Sequence, residues 1–110
     1  MEITVDEHGD TAVVRVVGDI DLDGSVELRD SLLAGIARDL AVVVDLQGVP
    51  LIDSSGIASL LEAYQAAREK GAGFVLAGVG SGVMRVLKLA KLEEVLPIAE
   101  DVEEGLKQRT

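Results

Sequence analysis

The residues best equipped for chemistry stand together in one stretch, Asp53-Ser54-Ser55-Gly56, directly after the run Val42 to Ile52. A carboxylate and two hydroxyls in succession suit a helix cap, a nucleophile or a phosphoacceptor. Asp and Ser are preferred N-cap residues because a side-chain oxygen accepts a backbone N–H that the helix leaves unpaired. Capping accounts for one of the three polar residues and leaves two for another purpose. Gly56, in the first turn, costs helix stability but removes bulk, so a partner's backbone or a nucleotide can approach closely.

Other chemistries fail on missing groups. A hydrolytic Ser54 needs a base, and the one histidine, His8, stands in the turn-like His8-Gly9-Asp10. The nucleophile elbow Gly-x-Ser-x-Gly is also absent, since Ile52 and Gly56 flank the serines. Asp45, at the end of an apolar run, resembles the phosphoacceptor of a response-regulator receiver, with Asp19 and Asp21 as its Mg²⁺-holding acids. A receiver also needs a lysine after its last strand, and none stands near Pro97-Ile98. Asp45 is therefore expected to close its strand or cap local N–H groups. Gly78-Val79-Gly80-Ser81-Gly82 occupies the place of a phosphate-binding loop, but Val83 breaks the dinucleotide fingerprint and no Lys-Ser/Thr pair completes a P-loop. A glycine turn with Ser81 as helix cap is expected there, and no cofactor.

The elements that must position these residues alternate between strand and helix patterns. Ile3–Val5 and Thr11–Val17 read as strands joined by the His8-Gly9-Asp10 turn. From about Ser25 to Asp39, Leu28, Leu32, Leu33 and Ile36 recur at helical spacing, opposite Glu27, Arg29 and Asp30. Ala41–Leu46 is the near-continuous apolar run of a strand covered on both faces. Ser55–Lys70 is a second amphipathic helix, with Ile57, Leu60, Leu61, Tyr64 and Ala67 on one side and Gly71 as its stop. Gly73–Ala77 follows as a strand, Val83–Lys91 as a helix, Val95–Ile98 as a short fifth strand and Asp101–Lys107 as a last helical segment. The fold expected is α/β, β-β-α-β-α-β-α-(β)-α, a mixed and mostly parallel sheet of four to five strands with about four helices.

Composition bounds the function. The 110 residues leave room for one domain, 1–110. With 48% hydrophobic and 2% aromatic residues, its core must be packed from Val, Leu, Ile and Ala. Twenty acids against ten bases give a net charge of -10, with Asp19, Asp21 and Asp23 within five positions. Phosphate backbones and anionic membranes repel such a chain, so nucleic acid is not an expected partner; a protein with Lys or Arg at its contact surface is. The absence of cysteine excludes disulfides, thiolate metal sites and a cysteine nucleophile. Asp45 and Asp53 interrupt the apolar stretches well short of the ~20 residues that span a bilayer, and no secretory signal pattern opens the chain. The expectation is a cytoplasmic monomer or weak dimer.

Asp53-Ser54-Ser55-Gly56, preceded by the strand with Asp45-Leu46 and followed by Ile57 and Leu60-Leu61, resembles the core motif of STAS domains. Gly18-Asp19-Ile20-Asp21 is similar to the family's second marker, and the likeness runs the length of the chain, most closely to bacterial anti-sigma factor antagonists. The resemblance implies a binding switch rather than an enzyme. Its unphosphorylated form would bind an anti-sigma factor, a GHKL-type serine kinase, and so free the sigma factor. Phosphorylation on Ser54 would end that binding and a PP2C-type phosphatase would restore it. Asp21 matches a family acid that helps hold the kinase, and Asp21, Asp53, Ser54, Ser55, Gly56 and Ile57 form the expected contact surface. Non-switching STAS proteins, such as stressosome components or transporter accessory subunits, are the alternative. Two departures stand out: Gly24-Ser25 where Thr-Ala is common, which would move the first helix cap to Asp23 or Ser25, and Ala58-Ser59 where Gly-aliphatic is usual.

Overall fold

The β-branched run Thr11–Val17 forms β2, and β1, Glu2–His8, folds back on it through a turn in which Gly9 takes φ 64°. The computed structural model describes residues 1–108. After the hairpin come α1 (Leu22–Ala37), β3 (Ala41–Gly48), α2 (Ser54–Lys70), β4 (Phe74–Ala77), α3 (Ser81–Leu89), β5 (Ile98–Ala99) and α4 (Val102–Lys107). The strands lie in sequence order in one sheet, β1-β2-β3-β4-β5. β1 pairs antiparallel with β2, and every later pairing is parallel. That is the expected architecture with the fifth strand formed.

The alternation of side chains along the strands divides the core between the two faces of the sheet. Val14, Val16, Val42, Val44 and Leu76 point to one face, under Leu28 and Leu32 of α1, Leu60 and Ala63 of α2, and Val83 and Leu87 of α3. Val13, Val43, Val75 and Ala77 point to the other, where Val102 and Leu106 of α4 pack on them. A fully buried leucine such as Leu28, Leu32 or Leu60 contributes about 2 kcal/mol. The core is aliphatic, as the composition required.

Several boundaries differ from the sequence reading. α1 begins at Leu22 rather than Ser25, because Asp21 caps it by accepting the Gly24 N–H at 3.1 Å. The cap is therefore neither Asp23 nor Ser25. Gly24 itself is buried beneath the Met1 side chain, and a Cβ there would stand 2.7 Å from the Met1 methyl. α3 is capped by Gly80 with no side-chain hydrogen bond, so Ser81 is its first residue and not its cap. Leu96 turns into the core, and the fifth strand falls at Ile98–Ala99 instead of Val95–Ile98. β1 is longer than Ile3–Val5; its exposed edge gave little hydrophobic signal beyond those residues.

Candidate functional site

Two chain crossings bring the two acid-bearing loops together. β2 and β3 run in register to Arg15↔Asp45, slip at an irregularity and resume at Val17↔Gly48. Past the strand ends, Ile20 and Ile52 form a further parallel bridge. The Ile20 N–H donates to the Leu51 carbonyl at 3.0 Å, and the Asp53 N–H donates to the Ile20 carbonyl at 3.1 Å. Both isoleucine side chains are buried, so the next residue of each loop, Asp21 and Asp53, emerges at the surface. Each opens a helix. With Asp19 and Leu51 they line a depression of about 330 Å³.

Asp53 is the more heavily used cap. Its Oδ1 accepts the Ser55 N–H at 2.9 Å, the Gly56 N–H at 3.1 Å and the Ser55 hydroxyl at 2.5 Å. The Ser55 hydroxyl first, then the Gly56 and Ser55 N–H groups and the Leu22 N–H of α1, hold its carboxyl below the ordinary value of 3.8. Donors to the charged form favour that form, and together they outweigh the opposing effect of burial. Asp53 stays ionised and its hydrogen bonds organise the first turn of α2.

Ser54 stands between these two committed residues, as the first residue of α2. It is exposed, and among the described residues its hydroxyl has no hydrogen-bond partner. One hydroxyl of the tetrad is left available at the positive end of a 17-residue helix.

The remaining predicted contacts separate. Asp21 and Asp53 are exposed and Ser55 is half-buried, but Gly56 and Ile57 are buried. Ile57 belongs to the core under α2. The missing side chain of Gly56 serves the fold: a Cβ there would lie 2.6 Å from both Ile20 and Ile52. Gly56 thus admits the two isoleucines that align the loops, which corrects the reading that it clears space for a partner. Ser59 is buried as well. Its hydroxyl faces the Ser25 carbonyl of α1 at 2.9 Å and the Ser55 carbonyl at 3.1 Å, tying the two helices together.

Sequence reasoning passed over the apolar side chains beside these acids. Leu22 is 71% exposed and Leu51 58%. The signal was available, because each directly adjoins a loop acid or its bridging isoleucine. Asp45 lies elsewhere, on the sheet face covered by α4. One carboxylate oxygen accepts from Arg15 Nε at 3.1 Å and the other accepts the Gln47 N–H at 3.0 Å. It is buried and caps a local N–H, the second of the two expectations, but it does not close its strand, since β3 runs on to Gly48. Among the described residues no group of three or more Asp, Glu or His is placed to hold a metal ion. No helix there is long and apolar enough to cross a membrane.

Known proteins share this fold. The STAS domain model matches residues 2–105. An anti-sigma F factor antagonist of Paenibacillus polymyxa is 26% identical over 103 residues, 92% of this chain and 88% of that one. The RsbT co-antagonist protein RsbRA of Bacillus subtilis (strain 168) is 33% identical over 69 residues, 61% of this chain but only 25% of the longer relative. The crystal structure of an anti-sigma factor antagonist from Mycobacterium paratuberculosis superposes with a TM-score of 0.85 at 26% identity, covering 96% of this chain and 91% of that one. Sequence motif, sheet order and these likenesses agree: the chain belongs to the STAS domain family.

Proposed function

We propose that this chain is an anti-sigma factor antagonist switched by phosphorylation of Ser54. The observation that carries the reading is the division of labour in the tetrad. Asp53 and Ser55 are engaged in capping, while the Ser54 hydroxyl is exposed and unengaged. A serine kinase needs such a hydroxyl. The partner would be an anti-sigma factor of GHKL type, holding Asp21, Asp53, Ser54 and Ser55 through basic groups of its own, with Leu22 and Leu51 as apolar contacts. Transfer would break the γ-phosphate bond of ATP, form the Ser54 Oγ–P bond and release ADP and the hydroxyl proton.

A phosphoserine adds roughly −1.5 to −2 charges at neutral pH. At the first position of α2 the helix N-terminus tolerates them, so the fold survives. The same charges sit beside Asp53 in a chain of net charge -10. A partner fitted to a neutral hydroxyl then meets a desolvation cost, and binding ends. A PP2C-type phosphatase would reset the switch, and the cytoplasm is the compartment where these partners meet.

The match to a co-antagonist supports a second reading, a STAS scaffold that does not cycle. Phosphosite mapping by mass spectrometry on protein from its native cells separates the two. Acid-stable phosphate on Ser54, lost in Ser54→Ala, is the expected result. Unmodified Ser54 under every growth condition favours the scaffold, and acid-labile phosphate on Asp45 overturns both.

A further inference from the structure

The charge of this chain reverses locally. From Gly71 to Leu92 there is no Asp or Glu, yet Arg85, Lys88 and Lys91 fall within seven positions. Among the described residues none of these three has a carboxylate within ion-pair distance. Leu89, between two of them, is 79% exposed. Ser81, Met84, Arg85, Lys88 and Leu89 line a shallow depression of about 400 Å³ on α3. An apolar centre with a cationic rim is thus displayed on an otherwise acidic protein.

The complement lies across the helix layer. α1 connects β2 to β3 and α3 connects β4 to β5, so the two helices flank α2 on opposite sides. The start of α1 exposes Leu22 and Val26, at 71% and 53%, beside Asp23 and Glu27. Met1, Asp21, Asp23, Gly24 and Glu27 line a depression there of about 340 Å³. Each flank pairs exposed aliphatic side chains with charges of one sign, and the signs are opposite. A patch whose complement sits on the far side of the same molecule fits a second copy head to tail.

We infer that the α3 flank of one copy docks on the α1 flank of the next, giving a weak, salt-sensitive self-association. The net charge of -10 opposes it at long range, and this keeps the contact weak. The inference does not depend on phosphorylation of Ser54. Because the acidic flank adjoins the Asp21 loop, self-association and partner binding would compete for one surface.

Sedimentation equilibrium across a concentration series, at low and at high salt, tests it. The expected average mass rises above the 11.5 kDa monomer with concentration at low salt and returns to it at high salt, where charges are screened. Arg85→Glu with Lys88→Glu, and separately Asp23→Lys with Glu27→Lys, should each weaken association by roughly tenfold or more. Mixing these two double variants should restore it, since each then meets opposite charge on both flanks. Leu89→Gln removes an apolar contact without touching charge, and should weaken association as well. A monomer at every concentration in low salt overturns the inference, and so does association that survives both charge reversals.

Discussion

α2 and α3 start alike, each following a central parallel strand at the same end of the sheet, but their first turns are built differently. At α2 the cap is a carboxylate, which gathers two N–H groups and a hydroxyl of its own helix. At α3 the cap is Gly80, with no side-chain hydrogen bond and open space where a Cβ would stand. Glycine is tightly held at both helices but for different reasons. Gly56 makes room for Ile20 and Ile52, whereas Gly82 lies against the Pro50 carbonyl. Each turn leaves one exposed serine hydroxyl without a hydrogen-bond partner among the described residues, Ser54 at α2 and Ser81 at α3, but only Ser54 stands beside a capping carboxylate. Such a hydroxyl is where a modification can be added without removing a hydrogen bond of the fold.

Substitutions at the two turns test this contrast. The largest effect belongs to Gly56→Ala: helix propensity improves, but the new Cβ meets two branched core side chains, for a net loss of about 2 kcal/mol by urea denaturation. A neutral result would mean that the isoleucine bridge does not set the loop geometry. Asp53→Ala comes next, lowering the urea midpoint because the cap of α2 is lost.

The acid limb of stability carries the same signature. The folded carboxyl of Asp53 titrates below 3.8, so its stabilisation is complete above that pH. It is lost as pH falls from 3.8 through the lower folded value. Asp53→Asn keeps a capping oxygen but cannot titrate, so its stability should fall less steeply over that window, as read by urea midpoints against pH. Gly80→Ser should add the missing cap at α3 and gain a few tenths of a kcal/mol. Ser54→Ala should be the mildest, within about 0.5 kcal/mol of the parent, because among the described residues no hydrogen bond uses that hydroxyl.

Much of the frame was legible in the chain because its periodicities are strong. Leu60 and Ala67 marked the inner face of α2, and Gly71 ended it in the left-handed conformation, φ 69°, that glycine adopts freely. The tetrad was legible as the turn that opens a helix, with Asp53 as its cap. What could not be read needed the third dimension. The start of α1 was missed because its first turn is organised by a polar cap, Asp21 to Gly24, and not by an apolar stripe. The inward roles of Gly56 and Ser59 depend on Ile20 and Ser25, which lie far off in sequence and arrive through the β2–β3 register. Arg15 as the partner of Asp45 required the same register.

The central claim is that Ser54 alone carries the switch while the fold stays constant. The most direct measurement is calorimetric titration of the serine-kinase anti-sigma factor from the same cells with the unmodified and the stoichiometrically Ser54-phosphorylated chain. Binding weakened by about 100-fold or more on phosphorylation, with amide NMR shifts confined to the α1 and α2 starts, is the predicted result. Equal affinity of the two forms would contradict it.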